Sequence, residues 1–468
     1  MINFIKHWGL TLVKDKAKTL AERHPPNRNG LQLLIYWFNP GYTGVNVGMV
    51  LFATAASLAM MTLVNFVQPY LLEEVFKIPR GEQGSLTGNL AAMQEIVVIL
   101  LIGMIGALSD RTGRRILFSL GFIVLGLGYF IYPLAQSTEQ LILFRILVAV
   151  GAAMITVMLS ACLVDIIQEG SRGKWLGTSS IFNGIGVLFM GAVLGQMPGR
   201  FEDMGFAGIE AGQYTFWIAT AICFVTAILL HFGLKGGPPP EVKDRPSVLK
   251  NLGRGLMEAR HNPRIALAYS SAFIARGDLV VVGTFFSLWF VQAGVDQDMT
   301  AGQAMKKAGG LFALIQGSAL TWAFIMGIIC DRVNRTTGVC IAFAIASVGY
   351  ITLGSVGDPF APGSIILLAC IMTGMGETST VVASGTLLGQ EAPPHYRGAV
   401  VGVFNKSGAI GIMLATVVGG QLVDIVGPNA PFLMMGICNG VILVLAVGVR
   451  IWGNGPAPVP EPTPTAAE

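Results

Sequence analysis

The chain alternates long apolar runs with short polar turns, and the runs are longer than core helices of a water-soluble domain need to be. A helix crosses the hydrocarbon of a bilayer with about 20 apolar residues. By that measure twelve spans are predicted. The first six are Val45–Tyr70, Ser85–Ser109, Ile116–Ala135, Gln140–Ile166, Trp175–Met197 and Tyr214–Gly233. The second six are Arg264–Gln292, Lys307–Cys330, Thr337–Ser355, Gly363–Gln390, Arg397–Asp424 and Pro428–Ile451. The fold class that follows is an all-α membrane protein.

The runs fall into two sets. Residues 44–234 form one predicted six-helix bundle and residues 264–452 a second. Between them lies a polar cytoplasmic linker, 235–263, opening on Gly236-Gly-Pro-Pro-Pro240, through which no helix continues. Ahead of the spans is an N-terminal segment, 1–43, expected to be cytoplasmic. Within it Phe4 to Glu22 fits either a basic amphipathic helix on the membrane surface or a partly ordered tail. It does not read as a signal peptide, because Lys14, Lys16 and Lys18 interrupt its apolar stretch. The tail, 453–468, is rich in Pro and Ala and is expected to be disordered.

The two sets repeat one another. Arg172-Gly173-x-x-x-Gly177 leads into span five, and Arg397-Gly398-x-x-x-Gly402 leads into span eleven, at an offset of 225. At the same offset Gly186 matches Gly411 and Gly195-Gln196 matches Gly420-Gln421. A shared register of this length implies two pseudo-symmetric six-helix bundles related by an axis along the membrane normal.

Composition agrees. The chain is 53% hydrophobic and 12% charged, against about 25% charged in soluble domains. The position of the charges sets the orientation. With the N-terminus cytoplasmic, the outer side carries only Lys77, Arg80, Arg200, Lys306 and Lys307, and the remaining loop Lys and Arg face inward. Both termini are therefore expected inside, in a multi-pass protein of a bacterial inner membrane. The six cysteines lie in or beside apolar runs and form no C-x-x-C pair, so they read as packing residues.

The turn Gly106-Ala-Leu-Ser-Asp110-Arg111-Thr-Gly113-Arg114-Arg115 separates spans two and three. A degraded copy, Gly327-Ile-Ile-Cys-Asp331-Arg332-Val-Asn-Arg335, separates spans eight and nine. The first resembles the loop between helices two and three of the major facilitator superfamily of secondary transporters, specifically the twelve-span organic-solute and drug type. The resemblance covers about Phe38 to Trp452. It implies alternating access around a midplane cavity. It also implies a cytoplasmic gate of Gly106, Asp110, Arg111, Gly113 and Arg114. In that gate Asp110 meets the start of span eleven, and Arg114 reaches an acid at the end of span four, here Asp165. Asp331 and Arg332 would form the second gate, although Asn334 stands where the glycine belongs. The glycine ladder of span eleven resembles the family's antiporter signature in spacing but lacks its proline, so close helix packing is the reading adopted.

Ionisable residues within spans are costly, by about 2.5 kcal/mol or more each, and so are functional candidates. Glu95 in span two, Glu377 in span ten and Arg145 in span four are the predicted proton-coupling residues. Arg145-Ile-Leu-Val-Ala-Val-Gly151 resembles the family's span-four motif, with Val150 replacing its usual Gln. Arg145 is read either as proton relay or as partner of a substrate anion. Arg276 and Asp278, two apart near a helix end, are expected to satisfy one another or to snorkel. Lys406 lies in the inner part of span eleven. The predicted substrate-cavity residues are Asn65, Gln68, Asn183, Trp289, Gln316 and Trp322, with Asn439 a further candidate.

No phosphate-loop, zincin or nucleophile-elbow motif is present, so neither an ATP-driven pump nor an enzyme is expected. No cofactor, metal or nucleic-acid partner is expected. The partners are a small-molecule substrate, protons and the lipid bilayer, with the protein a monomer. Proton-coupled movement of a small organic solute is the first reading, export slightly favoured. Uptake of an organic anion through Arg145, Arg276 or Lys406 is its rival. A non-transporting assembly factor for a membrane complex is the reading from another class.

Overall fold

The computed structural model describes residues 29–237, 248–361, 363–393 and 396–452. Twelve of its helices are long and apolar enough to cross a membrane. In chain order α1 is Gly44–Tyr70, α2 Arg80–Thr112, α3 Arg114–Ile131, α4 Thr138–Asp165 and α5 Arg172–Ala192. Next come the short α6, Met197–Asp203, then α7, Gly208–Gly233, and α8, Val248–His261. The remainder are α9, Pro263–Val295, α10, Ala301–Arg332, α11, Arg335–Gly354, α12, Ile366–Glu391, α13, Arg397–Ile425, and α14, Ala430–Trp452. Residues such as Leu100, Met104, Phe232 and Val444 are exposed along these helices, as lipid-facing positions are.

Local chemistry sets several ends. Thr43 caps α1 in a reciprocal capping box with Asn46. The Asn46 amide also donates to the Gly233 carbonyl at the end of α7, at 2.8 Å. Gly113 turns the chain between α2 and α3 at φ +93°, where an L side chain would be strained. After Pro69 the first span widens into a π-helical turn, Leu71–Val75.

Two elements were absent from the sequence reading. The 235–263 segment is not wholly a linker: it contains α8, whose Gly255 lies close against the Ala399 carbonyl and Val403 of α13. The end of the 1–43 segment holds an antiparallel hairpin of β1, Gln32–Leu33, and β2, Tyr36–Trp37. The expected helix Phe4 to Glu22 and the expected disordered tail lie outside the described residues.

The described residues separate into two compact units. One holds 29–237 with 286–316, and the other 248–285 with 317–452. Each is packed by the same glycine device. In the first unit Gly186 of α5 brings its helix against the Ala55 carbonyl of α1, and Gly151 of α4 meets the backbone of Leu125 in α3. In the second, Gly411 of α13 meets the Phe273 carbonyl of α9, and Gly376 of α12 meets Ala346 of α11. The glycine register read from sequence thus corresponds to matched helix contacts in each unit. A methyl group has no room at Gly411. Gly411→Val is expected to cost about 1–3 kcal/mol by overpacking and to lower the melting temperature of the purified protein in detergent. Gly402→Ala, at a glycine with open space around it, is expected to leave that temperature unchanged.

Candidate functional site

Three clusters of polar residues stand out, each within one unit. The first is the turn after α2. Arg114 reaches Asp110 one turn back at 3.0 Å, and its Nε lies 3.0 Å from Asp165 Oδ2 at the end of α4. It also donates to Ser109 Oγ. Arg111 points outward and is exposed. Gly106 has open space where a Cβ would stand.

The corresponding turn after α10 is built differently. Arg335 pairs with Asp331 at 3.2 Å, again one helical turn apart, and Arg332 is exposed. Asn334, in the glycine's place, accepts from the Thr336 amide and caps α11. The acid ending α12 is Glu391, which pairs with Arg264 at 3.2 Å and accepts from Asn262 at 3.1 Å. Its side chain is 7% exposed. Sequence reading missed this pair, although Glu391 falls one residue from the Asp165 register. Glu391→Ala is expected to cost about 3–5 kcal/mol, because it strands the Arg264 charge in a buried position. Chemical denaturation of the detergent-solubilised protein would register the loss.

The second cluster surrounds Arg145, which is fully buried in α4. One Nη donates to Asn65 Oδ1, and the other lies 3.4 Å from Gln68 Oε1. Gln68 Oε1 also accepts from the Tyr132 hydroxyl at 2.8 Å, and Gln68 Nε2 donates to Thr87 Oγ1 at 3.2 Å. The guanidinium stands 5.9 Å from the centre of the Tyr132 ring. Every one of these partners is neutral. Among the described residues no carboxylate lies within ion-pair distance of Arg145, and its Nε has no acceptor. A buried cation without a counter-ion bears its desolvation cost unrelieved. Two predicted cavity residues, Asn65 and Gln68, are therefore the direct partners of a predicted coupling residue.

The third cluster lies in the second unit. Asp278 of α9 is fully buried and accepts from Asn439 Nδ2 of α14 at 2.9 Å. Glu377 of α12, 3% exposed, and Thr380 are its electrostatic neighbours. Both carboxylates also act on Tyr350 of α11, whose buried hydroxyl has no hydrogen-bond partner among the described residues. Of the two expectations for Arg276 and Asp278, mutual pairing or snorkelling, the exposure of Arg276 fits the second. Residues two apart on a helix face different sides, and Arg276 is exposed with its stem beside Gly408 while Asp278 turns inward to Asn439. The inward signal in the sequence was Asn439, an amide in an otherwise apolar run.

The other predicted residues are dispersed. Glu95 is half-buried in α2. Trp289 packs among Phe286 and Phe290 and is 1% exposed. Trp322 donates to Ser379 Oγ at 2.9 Å. Gln316 is buried in α10, and Asn183 is half-buried in α5, its amide oxygen without a partner among the described residues. Lys406 lies in α13. Among the described residues no group of three or more His, Cys, Asp or Glu side chains is placed to hold a metal ion.

The profile of the Major Facilitator Superfamily matches residues 50–416. The chain belongs to that superfamily. It is a multi-pass membrane protein of a family of secondary transporters. It is 29% identical to the magnetosome protein MamH of Paramagnetospirillum magneticum, over 84% of this chain and 90% of MamH. It is 26% identical to the magnetosome protein MamZ of the same organism, over 88% of this chain but 63% of MamZ. Its fold resembles that of the nucleoside transporter NupG, with a TM-score of 0.69 and 14% identity over 86% of this chain and 99% of that one.

Proposed function

We propose that this superfamily member is a proton-coupled transporter of a small anionic solute, working by alternating access in a bacterial inner or magnetosome membrane with both termini cytoplasmic. The observation that carries the reading is Arg145, a buried guanidinium whose partners among the described residues are all neutral. An anion supplies the missing charge and accepts from the unused Nε, and charge-assisted bonds of this kind are about twice as strong as neutral ones. Asn65 and Gln68 hold the planar group oriented in the meantime. Export of amphipathic compounds has less support, since an apolar ligand would leave Arg145 uncompensated.

The Asp278–Glu377 cluster supplies the coupling. Two buried carboxylates that are electrostatic neighbours do not both hold a charge cheaply. Loading and unloading of a proton as the site's exposure alternates couples the gradient to the solute. The cytoplasmic gate of Asp110, Arg114 and Asp165 is proposed to close the inner side. Its opening and closing then set the alternation.

The test is uptake of radiolabelled phosphate, sulfate and mono-, di- and tricarboxylates into proteoliposomes, for wild type and Arg145→Ala. Anion uptake that the substitution removes supports the reading, and uptake that it leaves intact overturns it. The magnetosome proteins among the relatives favour a second reading, an assembly role without turnover. Complete absence of solute movement from a folded protein, with magnetosome formation dependent on it, would move the conclusion there.

A further inference from the structure

The chain just after the N-terminal hairpin bonds the backbone of Asp165, the acid that completes the gate cluster. Directly after β2, Phe38 is fully buried and packs edge-on against Trp175 of α5, ring centres 5.2 Å apart. Trp175 itself donates to the Leu163 carbonyl in the last turn of α4. The backbone from Trp37 to Asn39 pairs with the α4–α5 connection like an added strand. Asn39 N donates to the Ile166 carbonyl at 2.9 Å, and Gln168 N donates to the Trp37 carbonyl at 3.0 Å. Side chains reinforce it. Gln168 Nε2 donates to the Phe38 carbonyl at 2.8 Å, and the Trp37 amide donates to Ser171 Oγ at 3.1 Å. Tyr36 and Thr178 share a hydrogen bond of 2.7 Å.

Asn39 makes the contact that matters most. Its Nδ2 donates to the Asp165 carbonyl at 2.8 Å and to the Ile167 carbonyl at 3.3 Å. The strap is fastened beyond it as well. Gly41 turns at φ +80° where a Cβ would strike Lys235, whose ammonium lies over the Tyr42 ring at 4.4 Å. Burial first, and then the Asp165 carboxylate, push the Tyr42 phenol up to about 12, so Tyr42 remains a neutral neighbour of Asp165.

We infer that the Tyr36–Tyr42 strap is a positioning element of the cytoplasmic gate, with Asn39 the residue that fixes where Asp165 meets Arg114. The physical reason is the place of Asp165. It is the last residue of its helix, where carbonyls lack intrahelical donors and the backbone frays unless capped. Asn39 supplies the donor from outside the helix, and Phe38 and Trp175 lock the donor in place. Release of the strap frees the end of α4 and with it the carboxylate. The inference rests on the proposal that Arg114 and Asp165 work as a gate.

The test needs no substrate. Spin labels go on the exposed positions Lys174→Cys and Arg260→Cys in a background otherwise free of cysteine, in lipid nanodiscs. Their distance distribution reports how the cytoplasmic ends of the two halves partition between states. Asp165→Asn is expected to shift that partition. Asn39→Ala is expected to shift it in the same direction by about fivefold, the weight of one hydrogen bond. The double variant is expected to go no further than Asp165→Asn alone, since both act through one carboxylate. If Asp165→Asn leaves the distribution unchanged, the gate proposal fails. If Asp165→Asn shifts it but Asn39→Ala does not, or the two effects add, the gate stands and the strap inference is overturned. Asn39→Ala and wild type are compared for melting temperature in the same nanodiscs, so that general unfolding is recognised as such.

Discussion

Arg145→Ala abolishes high-affinity binding of the transported anion and leaves the protein at least as stable as before. Both halves of that expectation come from one geometry. The guanidinium is fully buried, and among the described residues its partners, Asn65, Gln68 and Tyr132, are all neutral. Loss of a buried charge from a charge pair usually costs about 2–5 kcal/mol, so anion affinity should fall by about 30-fold to several thousand-fold. Stability moves the other way from an ordinary buried arginine. Removing one member of a buried pair strands the other, whereas here no carboxylate is left behind. Arg145→Lys keeps the charge but loses the planar fork, and should recover only part of the affinity. Isothermal titration with the best anion of the panel, beside melting curves in detergent, reads both quantities. A large loss of stability with unchanged affinity would make Arg145 a structural residue.

Glu377→Gln uncouples transport from the proton gradient without preventing solute exchange. The amide mimics the protonated carboxyl in shape and charge but has no proton to release. Net accumulation of the anion against its gradient is expected to vanish, while exchange of labelled for unlabelled anion across the membrane continues. Asp278→Asn should behave alike, because Asp278 and Glu377 are electrostatic neighbours and both act on Tyr350. Accumulation driven by an imposed pH gradient, compared with exchange at equal pH, separates the two activities. If both fall together in Glu377→Gln, the carboxylate binds solute or holds structure and does not carry the coupling proton. Glu95→Gln is compared with it, since Glu95, the other predicted coupling carboxylate, lies in α2 of the first unit; loss of accumulation there with Glu377→Gln intact would move the coupling proton to Glu95.

Much of the fold was legible because a bilayer imposes its demands on sequence directly. Spans must be long and apolar, and small residues must recur where helices cross closely. Gly186 and Gly411 could therefore be paired by register before their contacts with Ala55 and Phe273 were seen. The elements that escaped notice lie at the membrane surface, where those demands lapse. The hairpin at Gln32–Trp37 is too short to show periodicity, and α8 carries too many charges to resemble a span. The polar clusters were legible only in part. A charged residue in a span announces itself, and Arg145 and Glu377 did so. Its partner depends on which way each helix turns, which spacing along one helix does not reveal. Asp278 looked satisfied by Arg276 until the structure turned it toward Asn439. The lack of a counter-ion for Arg145 among the described residues is a property of three helices at once, and no single stretch of sequence carries it.

The most direct test is proton movement across proteoliposomes holding the purified wild-type protein, recorded as anionic, neutral and cationic solutes are added in turn. The account predicts that at least one anion moves protons, that its sign gives the direction of transport, and that Arg145→Ala and Glu377→Gln each abolish the signal. Proton movement with neutral or cationic solutes alone, unaffected by Arg145→Ala, would contradict the account. So would its absence with every solute in a protein that remains folded.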